Sequence, residues 1–438
     1  MLILLFIYLT VFIGIGMLAA LYVKKTEDFY VAGRHGSIAL ISLSLLSTIL
    51  GSSAILGTIS LSQHTGWAAS WMMLSGSLGL LCLIPLAKFV RRCGQYTLPE
   101  LLESFYGKAS KQLACAMIPI AWTGVVAAQI IGSGKIISFM TPLSYTVSAC
   151  LASTLFILYT LLGGQASIIK TDRWQGTLIF VGLMTAVLAA QKTCPFPSWE
   201  TIRGTFPLNP AFSVTDLLVL FLTYASTFVV GPDIYSRLLC AKDERTATAS
   251  VAVTAVLLAP IGFILAFIGM TGHAHSFNFL KTGLTPYIIT LGLLSAVISS
   301  ADTTLLTAAA TCGQLFTNLH HRSSIRTTRI LIATFGLLSL MIALVLPNII
   351  QTLLLAFSFF SGAFFIPTIA GLLGYRTSTR QVIYACLLGG ILSLAGKLCL
   401  IFHCGSGENL IIGAFVLNAI ILFWGRAKQA GQNKSFKL

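Results

Sequence analysis

The sequence predicts an all-α polytopic membrane protein, both from its composition and from the length of its apolar runs. Hydrophobic residues make up 56% of the 438-residue chain and charged residues only 9%, and the mean hydropathy is +0.91. Soluble domains carry roughly a quarter charged residues, so a soluble fold would leave too much apolar surface in water. Apolar runs of about 18 or more residues recur along the chain, as expected of helices that cross a hydrocarbon core about 30 Å thick.

About thirteen transmembrane helices follow from these runs. The first run lacks the basic flank and the small-residue cleavage site of a signal peptide, so we expect a retained helix at 1–23. The predicted spans lie at about residues 2–23, 37–62, 67–90, 112–139, 143–163, 174–191, 214–236, 249–271, 285–316, 329–346, 349–374, 380–402 and 409–425.

The basic residues orient these spans. With the N-terminus outside, 22 of the 27 Lys and Arg residues fall on the inner side, which the positive-inside rule predicts for a correct topology. The inner group includes Lys170, Arg173 and Arg237, and the outer loops keep only Lys192, Arg203 and Lys281. The net charge of +15 is therefore explained by topology and does not indicate a nucleic-acid partner. We expect a plasma (bacterial inner) membrane protein with a basic cytoplasmic tail at 426–438.

Other residues with characteristic chemistry show no clustering. The ten Cys residues have neither metal nor redox spacing, and the seven His residues are not at ligand spacing. A disulfide between Cys194 and Cys404, both in predicted outer loops, stays open beside separate thiols. Lys135 and Lys397 lie within apolar spans, and we expect both to snorkel to an interface.

Two spans carry residues that weaken a helix at membrane depth. They are Ser47 to Ser53 in the second span, and Tyr224 to Thr227 followed by Gly231 and Pro232 in the seventh. Unwound backbone within a membrane survives only where it lines a cavity or is buried in protein. Because these spans are five apart, they suit an inverted repeat whose first helix is broken in each half. Ordinary packing and kinks are the alternative interpretation.

Six segments, in this order along the chain, resemble a known transporter family. They are DFYVAGR at 28–34, STILGSSAILG at 47–57, TLPELLE at 97–103, YTLLGG at 159–164 with Thr171, Asp172 and Gln175, GPDIYSR at 231–237 and SAVISSAD at 295–302. The family is the sodium:solute symporters, which include bacterial proline, pantothenate, sialic acid and galactose symporters. YTLLGG with the following TD and Q is the most specific match.

The resemblance implies a five-plus-five inverted-repeat core of the LeuT type. The two repeats would be 37–191 and 214–374, with peripheral helices at 1–23 and 380–425. The implied activity is alternating-access import of a small organic solute coupled to Na+, without a cofactor. Motifs of membrane enzymes are lacking, whereas a proton-coupled or exchange carrier, a non-transporting receptor and a channel stay open as alternatives.

The resemblance also implies a Na+ site at the broken second span. Its ligands would be the backbone carbonyls of Ser47, Leu50 and Ala296 and the side-chain oxygens of Ser299 and Ser300. Na+ takes several oxygen ligands, and a broken helix offers free carbonyls. The alternative for the serine pair is hydrogen bonding to the carbonyl four residues back.

Asp302 is a carboxylate inside an apolar span, where a charge costs about 2.5–3.5 kcal/mol. It lies three residues after Ser299 and shares its helix face. By resemblance Asp172 approaches this face, so Asp172, Asp302 and Thr303 form a candidate second, inner cation site. The alternatives are a structural carboxylate, a pair with Arg173, and a proton site in a proton-coupled carrier.

The solute site is expected beside the same breaks. Its candidate residues are Ser53, Ala54, Gln129, Tyr224, Thr227, Phe228 and Gln351. Since none of them is an Arg, a neutral or zwitterionic solute fits best, although each candidate could simply pack helices. Ile49 stands where proline-type members carry an Asp, which argues against proline.

Overall fold

The computed structural model describes residues 7–8, 10–12, 14–15, 17–18, 25–92, 97–192, 195–275, 283–317, 323–346 and 348–424. Most of the predicted span 2–23, Cys194 and the tail 426–438 lie outside these residues. Within them the chain is helical and forms no β-strand, only isolated bridges such as Gly36 with Ala241. The thiol of Cys404 is free.

The helices match the predicted spans in order. Over the described residues, nine helical stretches are long and apolar enough to cross a bilayer, and Ile38–Ile49, Tyr145–Leu161 and Gly407–Phe423 are shorter apolar helices. Each predicted span from the second to the thirteenth therefore has a helical counterpart. The helices are α1 Thr26–Val31, α2 Ile38–Ile49, α3 Ser52–Thr65, α4 Trp71–Arg92, α5 Leu98–Tyr106, α6 Lys108–Met140, α7 Tyr145–Gln191, α8 Trp199–Arg203, α9 Val214–Leu220, α10 Ser226–Val230, α11 Pro232–Cys240, α12 Glu244–His275, α13 Thr285–Gly313, α14 Ser323–Val345, α15 Ile349–Leu372, α16 Thr379–Phe402 and α17 Gly407–Phe423.

The second predicted span is broken between α2 and α3, as its sequence predicted. The side chain of Ser37 caps the start of α2 by accepting a bond from the Leu40 N–H. The helix ends because Leu50 turns to ψ 43° and Gly51 is extended at φ −66° and ψ 176°. A Cβ on Gly51 would lie 2.5 Å from the Ser300 hydroxyl oxygen, so only glycine fits this approach. We call Leu50 and Gly51 the helix break.

The seventh predicted span is irregular at two positions along its length. A π-helical turn over Phe221–Ala225 joins α9 to α10, and π turns within α-helices frequently mark functional sites. Gly231 then leaves the helical region at φ −59° and ψ 127°. Pro232 starts α11, where its missing N–H costs no helical hydrogen bond. Both positions fall where the sequence predicted a weakened helix.

Two regions between predicted spans are helical instead of loops. The second arm of α7 runs over Gly163–Gln191, so the expected inner loop with Lys170 and Arg173 belongs to a helix. The chain turns at Gly164, which has φ 54° and ψ −154°, a conformation that strongly favours glycine. The TLPELLE segment likewise forms α5, with Thr97 at its N-cap and Pro99 in its first turn.

Helices α6 and α13 form the centre of the molecule. In each of them 83% of the most apolar 18-residue window is buried, against 28% in α14 and 33% in α16. Helix α13 packs against α6, α7 and α2, whereas α16 and α17 pack mainly on each other and on α15. The break in the second span therefore faces one of the two most enclosed helices in the described part of the chain.

Candidate functional site

The serine pair of α13 faces the helix break. The Ser300 hydroxyl donates to the Thr48 carbonyl at 2.6 Å and lies 3.4 Å from the Ser47 carbonyl. The Ser299 hydroxyl oxygen lies 2.9 Å from the Ser47 hydroxyl oxygen. Both hydroxyls thus cross to neighbouring helices, and the expected alternative, a bond to the carbonyl four residues back, is not the arrangement found.

Leu50 and Ala296 complete the set predicted to bind Na+. Leu50 lies in the break and is 3% exposed, and Ala296 is fully buried one turn before Ser300 on α13. A helix end leaves its last carbonyls without helical partners, so the end of α2 presents oxygen acceptors toward the serine hydroxyls. Ser47, Ser299 and Ser300 are therefore in direct contact, with Leu50 in the adjacent break and Ala296 one turn away on α13.

Gln129 of α6 caps the other side of the break. Its Oε1 accepts from the Ser52 N–H at 2.9 Å and from the Ser52 hydroxyl at 2.8 Å. Its Nε2 donates to the Ser53 hydroxyl at 3.0 Å. The side chain thereby satisfies an N–H that the start of α3 would otherwise leave unpaired in a buried position. Two predicted solute residues, Gln129 and Ser53, are in direct contact here.

An aromatic cluster lies on the seventh span. The ring centroids of Tyr224 and Phe228 are 4.9 Å apart, and those of Tyr224 and Phe357 are 5.6 Å apart. A Cβ on Gly76 of α4 would sit 3.4 Å from Tyr224 and 3.5 Å from Phe228, so the two rings pack closely on that helix. Thr227 is buried beside them, and its hydroxyl donates to the Thr223 carbonyl at 2.7 Å.

The remaining solute candidates differ in position. Ala54 is buried on α3, next to Ser53. Gln351 is exposed in the first turn of α15, where its N–H bonds to the Asn348 side chain. The α15 side chain that meets the aromatic cluster is Phe357, which sequence reasoning missed because an apolar run does not show which of its aromatic residues face inward.

A set of buried charged and hydroxyl groups lies next to the serine pair. We call Ser44, Asp172, Arg237, Asp302 and Thr303 the inner charge cluster, and all five are buried. One Asp172 oxygen, Oδ1, accepts from the Ser299 hydroxyl at 2.6 Å. The other, Oδ2, accepts from Ser44 and from Arg237 Nη2, the latter at 3.1 Å.

Arg237 is the partner of Asp172, in place of the neighbouring Arg173. The side chains of Arg237 and Asp172 both have no exposed surface. The Arg237 Nε donates to Ser44 at 3.1 Å, its Nη1 to Ser236 at 3.3 Å, and its Nη2 also bonds to Thr303. A planar guanidinium therefore joins α2, α7, α11 and α13 through one group.

The prediction that Arg237 belongs to the inner-loop cations is wrong. The predicted span ended at 236, but α11 continues to Cys240 and carries Arg237 into the core. The sequence signal that could have indicated burial of Arg237 is its apolar surroundings. Four neighbours within three positions are large, uncharged and buried. They are Ile234, Tyr235, Leu238 and Leu239.

Asp302 differs from Asp172 in its hydrogen bonding. Its Oδ1 accepts from the Thr303 hydroxyl at 3.4 Å. Its Oδ2 is buried and has no hydrogen-bond partner among the described residues. The inner charge cluster thus combines two carboxyl groups with a single guanidinium, and one carboxyl oxygen is left without a hydrogen-bond donor.

The sequence model of the sodium:solute symporter family matches residues 29–280, more than half of the chain. The chain belongs to the sodium:solute symporter family. The family and its relatives are transporters, not enzymes, and this symporter-family chain is a multi-pass membrane protein.

Two relatives come from Bacillus subtilis (strain 168). The uncharacterized symporter YwcA is 24% identical over 273 residues, which are 58% of this chain and 52% of YwcA, so the chain spans about half the length of that relative. The osmoregulated proline transporter OpuE is 21% identical over 375 residues, which are 78% of this chain and 76% of OpuE.

Two solved structures have the same fold. A Na+-coupled sialic acid symporter, substrate-bound and outward-open, superposes with a TM-score of 0.79 at 17% identity over 98% of both chains. Mhp1, a nucleobase-cation-symport-1 family transporter in a closed conformation with bromovinylhydantoin bound, superposes with a TM-score of 0.62 at 14% identity, over 90% of this chain and 94% of Mhp1. These similarities establish the LeuT-type fold expected from the sequence.

Proposed function

We propose that the protein imports a small neutral or zwitterionic organic solute together with Na+ by alternating access. The observation that carries the proposal is the meeting of the α13 serine pair with the helix break. Hydroxyl and carbonyl oxygens converge there in a buried position, and Na+ is a cation that such oxygens bind. We expect the N-terminus outside, the C-terminal tail in the cytoplasm and the plasma membrane as location.

The proposed ion ligands are the carbonyls of Ser47, Leu50 and Ala296 and the hydroxyls of Ser299 and Ser300. In the present conformation the Ser300 hydroxyl donates to the Thr48 carbonyl of α2, and the Ser299 hydroxyl lies 2.9 Å from the Ser47 hydroxyl. A Na+ among these oxygens would be bound by their lone pairs, while the hydroxyl hydrogens rotate away toward other acceptors. Ion binding would thereby hold α13 against α2 at the break.

The proposed solute site shares the break with the ion. It comprises Ser53, Ala54, Gln129, Tyr224, Thr227 and Phe228, whereas Gln351 is left out because it is exposed in the first turn of α15. Gly51 connects the two sites, since a Cβ there would lie 2.5 Å from Ser300 and 2.8 Å from Gln129. A solute that moves Gln129 would therefore change the ion site.

The charges around the site support an uncharged or zwitterionic solute. The buried cation next to it, Arg237, is already bonded to Asp172, so an anionic solute would depend on helix N-termini and backbone donors. The energy supply is sufficient with one ion. A potential of about 100 mV supplies about 2.3 kcal/mol per charge and a tenfold Na+ gradient about 1.4 kcal/mol, together enough for roughly 500-fold accumulation.

The test begins with purified protein, screened by thermal shift against amino acids, sugars, vitamins and sugar acids with and without Na+. Uptake of the stabilising solute into proteoliposomes is then measured with Na+ and with choline at the same pH. We expect accumulation that requires inward Na+. Equal uptake in choline would contradict Na+ coupling and favour the proton-coupled or exchange carrier, and binding without accumulation would favour a receptor.

A further inference from the structure

An apolar cavity of about 330 Å³ lies between α3, α6, α7, α12 and α13. Its volume is within the range of roughly 300–1,000 Å³ that is usual for ligand sites. Its wall is mainly aliphatic and includes Ile55, Ile59, Leu183, Ile268, Ile289 and Leu293. We infer that this cavity holds an acyl chain of an anionic phospholipid, whose phosphate binds the Lys135 ammonium at the rim.

The cavity wall selects an apolar ligand with one anionic end. Among the described residues that line it, Lys135 and Thr290 are the ones with polar side chains. The Thr290 hydroxyl already donates to the Pro286 carbonyl at 2.7 Å. The Lys135 ammonium is therefore the side-chain donor that remains for a ligand, while the rest of the wall can only contact carbon.

Lys135 forms no ion pair with a carboxylate of the described residues. All 12 Asp and Glu residues lie in the described part of the chain, and no ion pair found there includes Lys135. A charged side chain within an apolar span is costly and normally has a partner or reaches the interface. An unpaired cation beside an apolar wall is complementary to a lipid phosphate that is followed by its acyl chain.

The position of Lys135 along α6 matches the level of lipid headgroups. Lys111 and Lys135 are 24 residues apart on this helix, which is about 36 Å at a rise of about 1.5 Å per residue. The hydrocarbon core is about 30 Å thick, so the two ammonium groups lie near opposite interfaces. Phe139, one turn after Lys135, also lines the cavity and is 72% exposed. The mouth of the cavity therefore faces the surrounding lipid.

The first experiment measures lipid binding to the purified, delipidated protein by native mass spectrometry. Phosphatidylglycerol, which is anionic, is compared with phosphatidylcholine of the same acyl chains and with glycerol phosphate. We expect one tightly bound phosphatidylglycerol, roughly fivefold weaker phosphatidylcholine and no bound glycerol phosphate. The factor corresponds to the contribution of about 1 kcal/mol that one Lys makes to binding anionic lipid. Equal binding of the two lipids, or a dimer of the chain that excludes lipid, would overturn the inference.

Variants of Lys135 test the headgroup contact. In Lys135→Gln we expect phosphatidylglycerol to bind roughly fivefold more weakly, at the level of phosphatidylcholine, whereas Lys135→Arg should keep the preference. Lys192→Gln is the matched control, because Lys192 is exposed at the end of α7 and is not among the lining residues. A loss of the same size in the control would contradict a specific role of Lys135.

The position of the acyl chain is tested by photo-crosslinking. Phosphatidylglycerol with a diazirine near the end of one acyl chain is bound to the wild-type protein and activated. We expect label on α3 near Ile59 and on α13 near Leu293, which line the cavity. Ala186→Phe narrows the cavity and should remove this label. Label confined to α14 and α16, whose surfaces are more exposed, would contradict the inference. If Ala186→Phe does not fold, the labelling pattern of the wild type still decides the question.

Discussion

Gln129→Leu should weaken Na+ binding although Gln129 is not a proposed ion ligand. The change keeps a side chain of similar size but removes the bonds to the Ser52 N–H, the Ser52 hydroxyl and the Ser53 hydroxyl, which are 2.8–3.0 Å long. The hydroxyls can rotate to other acceptors, but the buried Ser52 N–H cannot. An unpaired buried donor costs about 1–3 kcal/mol. We therefore expect the conformation that contains the helix break to lose about 2 kcal/mol of stability.

The assay is the Na+ concentration that gives half-maximal uptake in proteoliposomes. A loss of about 2 kcal/mol corresponds to a rise of roughly 30-fold. Ser53→Ala removes only one of the three bonds, worth about 0.5–1.5 kcal/mol, so its rise should be clearly smaller. If Gln129→Leu folds normally and keeps the wild-type Na+ dependence, the side chain does not hold the break and the argument fails.

Two glycines give further predictions. Gly51→Ala places a Cβ 2.5 Å from the Ser300 hydroxyl; overpacking of this kind costs about 1–3 kcal/mol, so half-saturating Na+ should rise about tenfold or more in the uptake assay. Gly413→Ala, with nothing within 4 Å, is the control and should match the wild type. Gly164→Ala combines a φ of +54° with a Cβ 2.7 Å from the Phe29 carbonyl, and we expect a lower thermal midpoint in detergent; an unchanged midpoint would contradict that.

The sequence was sufficient for the span order and for the helix break. Both depend on strong local signals: long apolar runs force membrane-spanning helices, and Gly51 between serines marks a point where the helix fails. The serine pair was singled out by the resemblance of the segment 295–302 to the family's motif, because the other hydroxyl residues of α13, such as Thr290 and Thr304, would otherwise have been equal candidates.

The partner of Asp172 was not predictable in the same way. Arg173 and Arg237 were both placed at the inner surface by their positions next to predicted loops. The choice between them depends on the turn at Gly164 and on the continuation of α11, two features of tertiary packing that hydropathy does not record. Gln351 shows the same limit, since its exposure depends on where α15 begins.

The central claim is that Na+ binds where the α13 serine pair meets the helix break. Its most direct test is Na+-driven solute accumulation by the double variant Ser299→Ala with Ser300→Ala, beside the control Ser393→Ala. Ser393 is also a buried serine, and its hydroxyl has no hydrogen-bond partner in the described part of the chain. We predict that the double variant loses its response to Na+ while the control retains it. Wild-type Na+ dependence in the double variant would contradict the claim.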